Sequence, residues 1–334
     1  MAARFLAHDR EGFRRITGSE PELELLLEDH SYPFAHEAGV FIDLTDELII
    51  TSNRFCDPGS NQQRVQISKV VIGGMTRGRP TIRQEINSSR IPVGNGGVNY
   101  GEDRVLVCAQ GSFNEPSGLY VMGAHAPHAA TPFLVNFHGR PFNSVNDVVV
   151  HGDGSIWFTD PPYGFEQGYR PRPTLPCQVY RYDPQRKSIR AMADGFGHPN
   201  GICFSPQQDI VYVTDTDRYH GSGTLDDSKA STIYAFDVTI RHQQPFLTNR
   251  RLFAFADHGF PDGIKCDMEG NVYSGCGDGV HVWSPGGVLL GRIVVEGGVA
   301  NFCFGRQGEM FLLNETRLWR AQLGSHVRGA LLKI

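Results

Sequence analysis

One pattern of short strands and polar turns recurs six times along this chain, and few folds can absorb such a repeat. The repeated strands read "ELIITSN" from Glu47, "RVLVCAQG" from Arg104, "SIWFTD" from Ser155, "DIVYVTD" from Asp209, "NVYSGCG" from Asn271 and "EMFLLNE" from Glu309. Their starts lie 57, 51, 54, 62 and 38 residues apart. A second strand-like run follows each, as in "QVYRYDP" or "TIYAFDV", and another precedes it, as in "NDVVVHGDG" before "SIWFTD". The unit is therefore at least three short strands. A lone unit exposes both flat faces, whereas six set radially bury them against one another. A period of roughly 50 residues with Gly-rich turns is that of propeller blades. The expected fold is all-β, a six-bladed β-propeller over residues 1–334. Two β-sandwiches would match the strand content but not the sixfold recurrence. Helical spacing is confined to the stretch near Asp9 and Ile16. Within residues 1–30, "PELELLLED" is a candidate outer strand to close the ring, the alternative being a plain N-terminal extension.

Aligning the units exposes a shared slot ahead of each repeated strand. Glu37 lies 11 positions before Leu48, Asn95 10 before Val105, Asn146 10 before Ile156, Asn200 11 before Val211, Asp262 10 before Val272, and Asn301 9 before Met310. Asn-Gly and Asp-Gly pairs alone would read as turn chemistry. Glu37 is a poor turn residue, however, and it occupies the same slot. If the slot begins the innermost strand, six oxygen-bearing side chains converge at one end of the central channel. Two carboxylates and several neutral amides, without His or Cys, suit a hard divalent cation. Ca²⁺ is the default, with Mg²⁺, Mn²⁺ or Zn²⁺ as alternatives. All six slot residues are candidate ligands.

Composition narrows the partners. The formal net charge of −5 gives no reason to expect nucleic acid or an anionic membrane. The longest apolar runs are strand-sized and cannot span a bilayer. The seven cysteines are odd in number, lack zinc-finger spacing and fall largely in apolar strands, as in "ICF" and "NFCF". Free buried thiols in a reducing compartment are expected. The N-terminus "MAARFLAHDREGFRRITG" has no apolar core followed by a small-residue cleavage site, so the expected location is cytoplasmic.

Several motifs in order resemble the SMP-30/gluconolactonase/lactonohydrolase family: "AHEAGVF", "NSVNDVVVHGDGSIWFTDPPYG", "HPNGICFSPQQDIVYVTDT" and "GFPDGIKCDMEGNVYSGCGDG". The resemblance implies a six-bladed propeller with one catalytic divalent metal on its axis. It carries the metal ligands onto Glu37, Asn200 and Asp262, and sets Asn146 beside or on the metal. Asn95, in "GNGGVNYGEDRV", resembles a further Asn block. With the shared slot, the resemblance makes Glu37, Asn146, Asn200 and Asp262 the expected ligands, with Asn95 and Asn301 nearby either supporting those ligands or touching substrate. Two departures stand out: Val145 replaces the usual Pro before "ND", and "CAQG", with Ala109 and Gln110, replaces "CEHG". The second bears on sugar-lactone specificity. The implied activity is hydrolysis of a small-molecule lactone. Asp262 is expected as general base rather than nucleophile, and His198 as a second catalytic group orienting water or substrate. Tyr163, Arg54 and His258 are candidates for the pocket wall. His36, next to Glu37, is expected to point to the opposite face. Asp160, Asp215 and Asp217 are expected to stabilise turns. The competing readings are another chemistry on the same scaffold, such as phosphotriester or aryl ester hydrolysis or a biosynthetic ring rearrangement, and a non-enzymatic interaction platform.

Overall fold

The computed structural model describes residues 4–59, 63–87 and 89–334, so the first three residues of the N-terminal segment lie outside the described residues. Six antiparallel sheets form the blades. Blade 1 comprises Glu37–Ile42, Glu47–Thr51, Ile67–Val71 and Ile82–Ile86, and blade 2 comprises Gly94–Asn99, Arg104–Ala109, Gly118–Gly123 and Ala130–Leu134. Blade 3 comprises Val148–Val150, Ile156–Asp160, Gln178–Asp183 and Ser188–Ala193. Blade 4 comprises Pro199–Phe204, Ile210–Asp215, Thr232–Arg241 and Gln244–Phe255. Blade 5 runs Ile264–Cys266, Val272–Cys276, Gly279–Trp283 and Leu289–Val294, with Phe5–Ala7 added outside. Blade 6 runs Asn301–Phe304, Glu309–Asn314 and Arg317–Gln322, and Glu22–Glu28 is its outer strand. The all-β, six-bladed architecture expected from the repeat is the one observed, and each repeated run forms the second strand of a blade.

The first-named strand of each blade is innermost. Successive inner strands touch one another, and Asn301–Phe304 touches Glu37–Ile42, which closes the ring. The apolar core is divided among the blade interfaces. Ile49 and Ile67 of blade 1 pack with Val105 and Val107 of blade 2, and Val149 and Trp157 of blade 3 with Val211 and Val213 of blade 4. Tyr273 and Val280 of blade 5 pack with Phe302 and Met310 of blade 6, and Phe311 and Leu313 of blade 6 with Phe41 and Leu48 of blade 1. This division explains why one unit cannot stand alone: each blade owns only half of any core.

The helical spacing near Asp9 corresponds to the helix Arg10–Thr17, whose first amides at Glu11 and Gly12 donate to Asp9 Oδ1. Its Phe13 and Ile16 enter the core between blades 5 and 6. Glu22–Glu28 then pairs antiparallel with Arg317–Gln322, from Glu22 opposite Gln322 to Glu28 opposite Arg317. The sixth sheet thus joins segments from both ends of the sequence. No described helix is long and apolar enough to cross a membrane.

Candidate active site on the channel axis

The inner strands all begin at the same end of the channel, and the slot residues stand at those beginnings. Glu37 and Asn301 open their strands, Asn95 and Asn200 are second in theirs, and Asn146 and Asp262 come two residues before theirs. All six are buried, Asp262 being the most exposed at 9%.

Three repeated devices hold these residues in place. In the first, a threonine at the end of a second strand reaches across to the next blade. Thr51, Thr159 and Thr214 donate their hydroxyls to the carbonyls of Asn95, Asn200 and Asp262 at 2.9, 2.6 and 2.9 Å. In the second, an aspartate of that same strand caps the approach loop. Asp160 accepts the amides of Asn143 and Ser144 at 2.9 and 2.7 Å, and Asp215 those of Gly197 and His198 at 3.1 and 2.8 Å. The third is the glycine after the slot. A Cβ on Gly96, Gly201 or Gly263 would lie 2.5 Å from Asn146 O, 2.5 Å from Asp262 O, or 2.3 Å from Asn301 Cγ. Each of these glycines therefore admits the slot residue of the neighbouring blade. The Asn-Gly and Asp-Gly pairs are close-approach contacts within a ring, not turn residues.

The side chains divide by what they are free to do. Asn301 is fully committed: its Nδ2 donates to Glu37 Oε2 at 2.6 Å and its Oδ1 accepts the Phe302 amide at 2.8 Å. It fixes Glu37 and does not line the cavity above the ring. Asn95 Nδ2 donates to the Asn146 carbonyl at 3.1 Å, and Asn200 Nδ2 to the Tyr163 hydroxyl at 3.4 Å. Both amides thereby keep Oδ1 available. Asn146 Oδ1 and Asp262 Oδ1 are buried without any hydrogen-bond partner among the described residues. Leaving such an acceptor unmet costs about 1–3 kcal/mol, and two in one ring are what a positively charged partner would satisfy. The residues present fit a hard cation: two carboxylates and amide oxygens, facing one hollow.

Electrostatics agree. Burial pushes the Asp262 carboxyl well above the usual range, and the nearby charge of Glu37 pushes it further. Glu37 is raised by burial too, against the opposing pull of His36. Two buried carboxyls that both resist ionisation are what a divalent ion would relieve.

Above the ring is a cavity of about 230 Å³ lined by Glu37, Asn95, Asn146, Asn200 and Asp262 together with Arg54, Tyr163, His36 and Glu315. Tyr219 and Phe260 also line it, with their rings stacked at 4.8 Å. Arg54 donates from Nη1 to Gln63 at 2.8 Å and lies over the Tyr169 ring. Gln110, at the position where "CAQG" departs from the family pattern, is in the wall and accepts from the Tyr169 hydroxyl. His198 and His258 do not line the cavity. His198 is held between Asp217 at Nδ1 and Glu166 at Nε2, each 2.9 Å away. Burial disfavours its charge, but these two carboxylates outweigh burial and raise its basicity. His258 is largely exposed and bonded to Arg292 at 2.9 Å.

Sequence reasoning sets His36 aside and passes over Glu315. His36 precedes the strand, so strand alternation does not govern it. Ala35 bridges to Glu315, and His36 Nδ1 lies 2.6 Å from Glu315 Oε1. Burial works against charge on this ring, yet the Glu315 carboxylate holds its pKa up at about 9. The available signal is positional: Glu315 directly follows the sixth repeated strand, as Ser52, Asn53 and Arg54 follow the first. A second cluster of metal-ligand type, Glu166, His198 and His220, stands behind the cavity wall.

Known proteins match this chain closely enough to place it. Residues 81–313 match the family described as SMP-30/Gluconolactonase/LRE-like region. A lactonohydrolase, oryL, of Aspergillus oryzae is 29% identical over 325 residues, covering 90% of this chain and 70% of that protein. A gluconolactonase of Zymomonas mobilis is 29% identical over 193 residues, 54% of this chain and 50% of its own length. The solved structure of a gluconolactonase from Xanthomonas campestris superposes with a TM-score of 0.73 at 26% identity, covering 96% of this chain and 94% of the other. With a matched span of that extent, taking in blades 2 to 5 whole and every ring residue but Glu37, the chain belongs to the SMP-30/gluconolactonase/LRE-like family.

Proposed function

We propose that this chain hydrolyses a small-molecule lactone, using one divalent cation held by Glu37, Asn146, Asn200 and Asp262. The observation that carries the reading is the pair of buried, partnerless oxygens, Asn146 Oδ1 and Asp262 Oδ1, at the base of a polar cavity. Relatives named lactonohydrolase and gluconolactonase supply the reaction class. Oxygen donors without imidazole or thiolate favour Ca²⁺ over Zn²⁺. When bound, the cation supplies Lewis-acid polarisation of the lactone carbonyl and eases deprotonation of water.

The chain's own residues do the rest. Asp262 accepts the proton of the attacking water. Asn301 spends both polar ends of its amide on Glu37 and its own strand, which keeps Glu37 in one orientation. Arg54, Tyr163 and Asn95 contact substrate from the wall, and the stacked Tyr219 and Phe260 restrict what enters. A cavity of about 230 Å³ suits a compact monocyclic lactone better than a macrocycle. All seven cysteines are free, which supports a reducing, cytoplasmic setting. The test is a panel of γ- and δ-lactones, aryl esters and phosphotriesters, with and without chelator. Lactone turnover abolished by chelator and restored by Ca²⁺ is expected. Turnover of phosphotriesters alone, or none at all with any metal, would overturn the reading.

A further inference from the structure

Behind the cavity wall, between blades 3 and 4, a second set of donor atoms converges. Glu166 ends the short helix Tyr163–Glu166, His198 precedes the inner strand of blade 4, and His220 lies in the loop after Ile210–Asp215. Each offers one ligand atom, and the three atoms lie within 4.8 Å of one another. His198 Nε2 is 2.9 and 3.0 Å from the two Glu166 oxygens. The His220 ring stands edge-on to His198, with centroids 5.4 Å apart and an interplanar angle of 86°. Behind His198, Asp217 Oδ1 meets Nδ1 at 2.9 Å. Glu166 is itself fixed by the Gly221 amide, which donates to Oε2 at 2.6 Å.

We propose that Glu166, His198 and His220 form a second metal site, for a divalent transition ion of the zinc class, separate from the axial ring. Two imidazoles and a carboxylate are borderline donors that select such an ion, whereas the axial ring offers only hard oxygens. Asp217 takes the part of the carboxylate behind a ligating histidine, fixing its tautomer and turning Nε2 forward. The charges of Glu166 and Asp217 together balance a divalent ion. A simple ion pair between His198 and Glu166 would use one imidazole. It gives no reason for a second imidazole to close on the same carboxylate.

The three ligands come from three segments, and each has a neighbour in the cavity wall: Tyr163 and Gln167 beside Glu166, Asn200 near His198, and Tyr219 before His220. An ion here fastens the blade 3 loop to the blade 4 loop and braces that wall. His198 then acts as a positioning residue.

Zn²⁺ alone is the probe. Metal-stripped protein, with Ca²⁺ in excess to fill the axial ring, is titrated with Zn²⁺ by calorimetry. One equivalent should bind. His220→Gln and Glu166→Gln should each weaken Zn²⁺ by at least about 10–100-fold, and Asp217→Asn by about 10–100-fold, with Ca²⁺ affinity unchanged. Glu37→Gln should do the reverse. No Zn²⁺ uptake in the presence of Ca²⁺, or uptake abolished by Glu37→Gln and indifferent to His220→Gln, overturns the proposal. Zinc-edge anomalous diffraction from the unaltered protein tests the site without any variant. A peak between His198, His220 and Glu166 supports the site, and a peak elsewhere or none refutes it.

Discussion

The two ends of the axial channel are made by the same six inner strands and differ in kind. At one end the strands begin, and their slot residues surround a cavity of about 230 Å³ with two partnerless oxygens in its base. At the other they finish, around a larger hollow of about 280 Å³ lined by Val40, Val149, Ile202, Cys266, Phe304 and residues 329–334. Between them Lys265, which faces the far hollow, reaches to 3.9 Å from Asp147, the residue after Asn146. Volume favours the far end as a binding site. Chemistry favours the near end, because among the described residues it is there that buried acceptors stay unmet around two carboxylates that repel each other. A fold tolerates such a local cost where the group has work to do.

The strongest way to break this contrast is Asp262→Asn. An amide cannot accept the water's proton at neutral pH, so kcat on a simple γ- or δ-lactone should fall by about 10²–10⁴ at saturating Ca²⁺ or Mn²⁺. Circular dichroism must show an unchanged fold. Near-normal kcat in the metal-saturated variant would move the proton acceptor elsewhere, with the Glu315 carboxylate the next group in the cavity wall to test. Glu37→Gln should behave differently: Ca²⁺ affinity falls, and excess Ca²⁺ restores much of the rate. Asn301→Ala acts one step further out, by releasing Glu37, and should weaken Ca²⁺ by about 10–100-fold with kcat recovered at saturation. If saturating Ca²⁺ leaves Asn301→Ala slow, the clamp on Glu37 is not its role.

The same residues should reverse their effect on stability when the cation is removed. Burial and the charge of Glu37 raise the Asp262 carboxyl well above its ordinary value of 3.8. A carboxyl raised on folding contributes stability below its unfolded value and loses it as pH rises through the folded one. Metal-free protein in chelator should therefore lose stability as pH climbs above about 4, and Asp262→Asn should flatten that slope and melt at an equal or higher temperature. Added Ca²⁺ binds the native state and should restore the wild type's advantage. A wild type that outlasts Asp262→Asn in chelator at pH 8 would mean that the ring is not strained without its ion.

How much of this could be read from the chain follows from the range of the interactions. The blades were legible because each is a local unit whose pattern recurs, and so was the slot that Glu37 shares with Asn200 and Asp262. The glycines after the slot were visible but misleading, since their reason is the backbone of the next blade and not their own turn. Glu315 was invisible because it reaches His36 across 279 residues of chain and the ring closure. His198 sits two residues from the slot in sequence, yet its ring is captured by Glu166 and Asp217, 32 and 19 residues away. Local pattern reveals which residues share a strand end; it does not reveal which neighbours claim their side chains.

The far end supplies the weakest effect on activity and the control for all the others. Val149 lies in the core between blades 3 and 4, opposite Trp157, and also borders the far hollow. Val149→Ala removes two methyl groups, one flank of which already faces open space, so fewer contacts are lost than in a closed core. The expected cost is about 1–2 kcal/mol of unfolding free energy, read as a lower urea midpoint with an unchanged slope. Ca²⁺ affinity and kcat should stay at wild-type values, because no hydrogen bond or charge connects this side chain to the ring. A fall in kcat in fully folded Val149→Ala would show that the two ends are mechanically coupled through the inner strand of blade 3. The Lys265–Asp147 contact would then be the first place to look for the link.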